Sequence, residues 1–146
     1  MNKLIILDWV GTLFERHKEV FDFSEEILKY LRPNYKLVLV SVSQKDIDGR
    51  KKEIKDSGLD KYFDEVIVGK DKTPELFSEI IRKYNSNPEN TFVIGDRVIR
   101  EIFAGNKIGA KTFWINTSHR SDEMPTKETG NPDYIISSVK DLLKYL

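Results

Sequence analysis

Two aspartates, Asp8 and Asp96, each close a short apolar run: Leu4-Ile5-Ile6-Leu7 for the first, and Thr91-Phe92-Val93-Ile94 with Gly95 between for the second. A carboxylate leaving a buried strand is costly to desolvate without a partner or a purpose. Ser41 closes a similar run, Leu37-Val38-Leu39-Val40, and Lys70 and Lys72 follow another at 65–69. Taken singly, each aspartate reads as a turn former or a helix N-cap. Two carboxylates, a hydroxyl and a lysine at four successive run ends argue against four independent caps. Ligands of open α/β sheets bind at the carboxyl ends of the strands, near the point where strand order reverses. These groups therefore meet in one crevice if the first strand lies between the second and the fourth. Composition narrows the chemistry further. Cysteine is absent, which excludes a thiol nucleophile, a Cys-based zinc site and a disulfide framework. Two histidines, His17 and His119, argue against a multi-histidine metal site.

The elements that must position these groups follow from hydrophobic patterning. Apolar runs at 3–8, 36–41, 65–69, 91–95, 111–116 and 134–137 are four to six residues long and nearly continuous. Strands buried on both faces of a parallel sheet read this way. Helical stretches lie between them. One spans 24–32 and stops at Pro33. Ser43 is the expected cap of the next, with Asp46 three residues on and Gly58 at its end. Thr73-Pro74 is an N-cap followed by proline at the first helical position. Gly109 closes the helix after the fourth strand, and 142–146 belong to a terminal helix. This pattern predicts a βα unit repeated about six times: an α/β three-layer sandwich around a parallel, Rossmann-like sheet of five to six strands. One long irregular stretch, 117–132, is left over.

The length of 146 residues fits a single domain over 1–146. Twenty-four Lys+Arg balance 24 Asp+Glu, which argues against a domain-wide nucleic-acid footprint. No apolar run approaches the roughly 18 residues of a membrane span. The expectation is a cytoplasmic protein with no membrane or nucleic-acid partner.

These residues resemble the motifs of the haloacid dehalogenase (HAD) superfamily of aspartate-nucleophile hydrolases, over nearly the whole chain. The first motif matches Asp8-Trp9-Val10-Gly11-Thr12-Leu13 and the second Ser41. The third matches Lys72, in Lys72-Thr73-Pro74-Glu75, with Lys70 as a competing register. The fourth matches Gly95-Asp96-Arg97, with the second acidic position at Glu101. The resemblance implies that Asp8 attacks phosphorus to form an aspartyl-phosphate. It implies Mg²⁺ held by Asp8, Asp96 and the backbone carbonyl of Val10. It further implies a phosphate group held by Ser41, Gly11, Thr12 and Lys72, with Lys72 neutralising developing charge. Glu101 reads either as the holder of a metal-bound water or as an ordinary surface glutamate.

One position departs from the phosphatase pattern. Those members carry a second aspartate two residues after the nucleophile, as general acid and base; here it is Val10. Three readings follow. The first is a Mg²⁺-dependent hydrolase of a phosphate ester or anhydride, weak or specialised, acting on a phosphorylated small molecule or macromolecule. The second is an impaired HAD-fold protein that binds Mg²⁺, phosphate or a protein partner. The third is carbon–halogen or carbon–phosphorus cleavage, whose relatives carry a sizeable inserted cap. Only 23 residues separate Thr12 from the second strand, so no large cap is expected. Capless relatives tend to take large substrates or to close their sites by oligomerising, which leaves an oligomer open. Trp9 reads as packing against its own loop. His17 is either a substitute acid/base or a solvated surface residue.

Overall fold

The computed structural model describes residues 1–117 and 123–146. Six parallel strands form one sheet in the order β3-β2-β1-β4-β5-β6. They are β1 (Leu4–Leu7), β2 (Lys36–Val42), β3 (Glu65–Gly69), β4 (Thr91–Gly95), β5 (Lys111–Ile115) and β6 (Tyr134–Ile136). All six fall on the runs read from sequence, and β1 does lie between β2 and β4. The strand order therefore reverses at β1, next to the segment that follows Leu7.

Helices α1 (Ser24–Leu31), α2 (Ile47–Asp56), α3 (Pro74–Lys83) and α4 (Phe103–Lys107) cover the sheet. Side chains alternate across β1 in the usual period of two. Ile5 and Leu7 join Ile27, Leu28 and Leu31 of α1, Ile54 of α2 and Leu142 near the C-terminus in one core. Leu4 and Ile6 join Phe77, Ile80 and Ile81 of α3 and Ala104 of α4 in the other. Two apolar layers on a fully buried central strand are what make the runs continuous rather than alternating.

Three local expectations change. Asp46, not Ser43, caps α2: its side chain accepts from Gly49 N at 2.8 Å. Ser43 instead closes the preceding turn, exchanging hydrogen bonds with Asp46 N and O. The helix after β4 opens with a π-helical stretch, Val98–Ile102, before α4. The terminal helix is a 3₁₀ segment, Val139–Lys144. The Thr73 cap of α3 forms as expected, accepting from Leu76 N at 3.1 Å. Within 117–132, residues 118–122, including His119, lie outside the described residues. Among the described residues, no helix is long and apolar enough to cross a membrane.

The connections from β1 to α1 and from β2 to α2 are both short. Residues 8–23 form a tight turn and a small hairpin in which Phe14 bridges Val10 and Val20. Residues 43–46 form a single turn before α2.

Candidate active site

Asp8 leaves β1 still attached to the sheet, its amide donating to Ile94 O at 3.1 Å. The chain then turns on one carbonyl: Trp9 O accepts from the amides of Thr12 at 3.2 Å, Leu13 at 2.9 Å and Phe14 at 3.0 Å. Gly11 N donates to Phe14 O at 2.9 Å. The amides of Gly11 and Thr12 are thus committed to the turn itself. Gly11 contributes through what it lacks. Its φ is +85°, a region favourable to glycine, and a Cβ there would lie 2.7 Å from Asp96 Cγ. Thr12 is buried, and its hydroxyl meets no hydrogen-bond partner among the described residues. Trp9 packs as expected, fully buried and stacked on Phe14 at 5.2 Å.

Four of the sequence-read groups, Asp8, Lys72, Asp96 and Glu101, come together at this turn. Lys72 Nζ donates to Asp8 Oδ1 at 2.7 Å and to Glu101 Oε1, which fixes the lysine register at 72 and not 70. Glu101 is 2% exposed, so it is no surface glutamate. Its other oxygen accepts from Arg97 N at 3.0 Å. Gly95 gives it room: a Cβ there would fall 2.6 Å from Glu101 Cδ. Asp8, Asp96 and Glu101 each bring a carboxylate oxygen within 4.8 Å of the others. All three are buried, and the Lys72 ammonium pairs with Asp8 and Glu101.

Asp8, Asp96 and Glu101 each offer a carboxylate oxygen to one small buried volume. An all-oxygen donor set of this kind suits a hard divalent cation such as Mg²⁺. The residues present therefore fit the metal. The electrostatics respond accordingly. Burial pulls the Lys72 ammonium down, but Asp8 and Glu101 outweigh it and its pKa lies above the ordinary lysine value. Burial, then the charge of Asp8, pushes Glu101 above the usual carboxylate range, against the pull of Lys72.

Ser41 is fully buried at the end of β2, and its hydroxyl accepts from Arg50 Nη1 at 2.7 Å. Arg50, on α2, has no place in the motifs read from sequence. On the other side of the turn, a cleft of about 680 Å³ is lined by Val10, Thr12, Phe21, Phe23, Asp96 and Ile115. His17 sits on its wall, exposed and at φ +62° at the hairpin tip.

Gly11→Ala tests how tightly this turn is built. Forcing a side chain into a left-handed conformation and against Asp96 should cost about 1–3 kcal/mol. Urea unfolding of the variant beside the wild type reads that difference; equal midpoints would show that the turn yields.

A family model described as HAD-hydrolase-like matches residues 68–142. The chain is 28% identical over 94 residues to glyceraldehyde 3-phosphate phosphatase of Pyrococcus furiosus, a stretch covering 60% of this chain and 38% of that protein. It is 26% identical over 140 residues to human N-acylneuraminate-9-phosphatase, covering 92% of this chain and 54% of that one. The chain thus spans about half the length of these curated relatives or less. Its fold is similar to that of the putative HAD-hydrolase YfnB of Bacillus subtilis bound to magnesium. That match has a TM-score of 0.70 and 23% identity, and covers 86% of this chain and 55% of that one.

Proposed function

The chain belongs to the HAD-like hydrolase family, and from that premise we propose that it is a Mg²⁺-dependent phosphohydrolase that uses Asp8 as nucleophile. The observation that carries this reading is the buried cluster of Asp8, Asp96 and Glu101 around Lys72, at the point where strand order reverses. The phosphatase names of the curated relatives and the magnesium bound to the structural one support it.

Asp8, Asp96 and the Val10 carbonyl would hold Mg²⁺, with Glu101 behind them. When bound, the ion offsets the repulsion between the Asp8 carboxylate and a phosphate anion. Lys72 holds Asp8 Oδ1 and so orients the carboxylate. An Asp8 oxygen attacks phosphorus, the bond from phosphorus to the leaving oxygen breaks, and its electron pair departs with that oxygen. Ser41 donates to a phosphoryl oxygen, and Lys72 balances the charge that develops there. Water then attacks phosphorus and releases Asp8 and inorganic phosphate.

Val10 supplies no proton to the leaving oxygen. Acyl phosphates and phosphoanhydrides, whose leaving groups depart unprotonated, are therefore the favoured substrates, on a phosphorylated small molecule or a macromolecule. Absence of an acid at position 10 also favours a second reading, an impaired HAD-fold protein that binds Mg²⁺ and phosphate or a partner. The cellular setting proposed is the cytoplasm, without membrane or nucleic-acid partners, and association into oligomers is compatible with this reading.

The test is phosphate release from acetyl phosphate, 4-nitrophenyl phosphate and glycerol 3-phosphate. Turnover should appear with MgCl₂, favour acetyl phosphate, and vanish with EDTA and in Asp8→Asn. Turnover that survives in Asp8→Asn would remove Asp8 as nucleophile. Mg²⁺-dependent phosphate binding with no turnover on any substrate would select the second reading.

A further inference from the structure

Arg50 touches the substrate machinery and has no part in the mechanism above. Its Nη1 donates to Ser41 Oγ at 2.7 Å and to Val42 O at 3.0 Å. Its Nε lies 3.4 Å from Glu53 Oε1, one turn further along α2. The same Glu53 oxygen accepts from Trp9 Nε1 at 2.9 Å. A chain of polar contacts thus runs from Trp9, beside the proposed nucleophile, through Glu53 and Arg50 to Ser41 at the end of β2.

The direction of the last contact is fixed by chemistry. A guanidinium has donors and no acceptor, so the Ser41 oxygen must receive. A serine hydroxyl has one hydrogen, and this partner does not take it. A cationic donor on the oxygen also polarises the hydroxyl and strengthens it as a donor in turn. We propose that Arg50 is a positioning residue: it holds the Ser41 hydroxyl as a hydrogen donor toward the phosphoryl oxygens, and Glu53 holds Arg50 in place. The proposal rests on the reading of Ser41 as a phosphate-binding group.

A helix staple without functional consequence would use the same Arg50–Val42 contact, so the test must separate acting through Ser41 from merely bracing α2. Binding of inorganic phosphate in MgCl₂ is measured by calorimetry for the wild type, Arg50→Met, Ser41→Ala and the double variant. Mg²⁺ binding alone is measured on each. Arg50→Met should weaken phosphate about 10-fold in the wild-type background and less than about 2-fold in Ser41→Ala, because the group it acts through is gone. Mg²⁺ affinity should not move. Arg50→Lys, which keeps the charge and one donor, should recover part of the loss and guards against a folding defect in Arg50→Met. Equal weakening in both backgrounds, or none in either, would overturn the positioning role while leaving the phosphohydrolase reading intact. A wild type that binds Mg²⁺ but no phosphate would overturn both.

Discussion

Exchanging Val10 for aspartate should raise Mg²⁺-dependent hydrolysis of an alkyl phosphate by about 10²–10⁴-fold, the range that a positioned general acid and base supplies. The reasoning is local. Val10 would serve Mg²⁺ through its backbone carbonyl, so changing the side chain leaves that ligand in place. Val10 lines the cleft beside Asp96 and is only half-buried. A carboxylate there keeps contact with water and avoids the desolvation that a core position would impose. The gain should depend on the leaving group. Glycerol 3-phosphate expels a strongly basic alkoxide that needs a proton, so its hydrolysis should gain most. Acetyl phosphate expels a carboxylate that needs none, so it should gain little. Steady-state rates on both substrates, with Val10→Asp combined with Asp8→Asn as the silent control, measure this. A uniform gain across leaving groups, or no gain, would show that position 10 does not face the leaving oxygen.

Much of this site was legible because the strands are buried on both faces. Continuous apolar runs mark their own ends, and Asp8, Ser41 and Asp96 stand at those ends. The choice between Lys70 and Lys72 was not legible. Both follow β3, and only the path of the chain into the Thr73 cap decides which one turns inward. Glu101 stayed ambiguous for a geometric reason. Asp96 precedes the helix, so spacing from it does not tell which face Glu101 takes; Glu101 is a buried residue of the π-helical stretch Val98–Ile102. Gly95 was the available signal, since it clears the space that the glutamate fills. Arg50 was hidden by its surroundings. It lies on a helix whose one buried residue is Ile54, so its charges read as a solvated face. In the described part of the irregular stretch, residues 123–132, side chains tie back to the site's own segment. Glu123 accepts from Arg97 Nε at 2.9 Å and from Ile99 N at 3.1 Å, tying that part of it to the segment after Asp96.

Lys72→Met should destabilise the metal-free protein by about 3–5 kcal/mol, the cost of leaving buried charge without its partner. Methionine matches the length of the stem but brings no ammonium, so Asp8 and Glu101 would lose the cation that pairs with both. Glu101 already sits above the usual carboxylate range, through burial and then the charge of Asp8, with Lys72 pulling it back. Removing that pull raises it further. The sign of the pH dependence follows. The folded protein then holds a proton on Glu101 that the unfolded chain has released, so unfolding releases protons and stability falls as pH rises. The deficit of Lys72→Met should therefore be small in the ordinary carboxylate range and grow as the pH climbs through the raised value. Mg²⁺ works the other way. A site with three carboxylates and no competing ammonium should bind the cation more tightly, and a ligand at 100 times its Kd stabilises by about 2.7 kcal/mol. Urea unfolding of wild type and variant in EDTA and in MgCl₂, across a pH series, separates these contributions. MgCl₂ should stabilise the variant more than the wild type, while phosphate release is lost because the Lys72 ammonium no longer balances the charge that develops on the phosphoryl oxygens. A variant as stable as the wild type in EDTA would mean that the carboxylates shed their charge at little cost. The clustered carboxylates would then no longer argue for a divalent cation at this site.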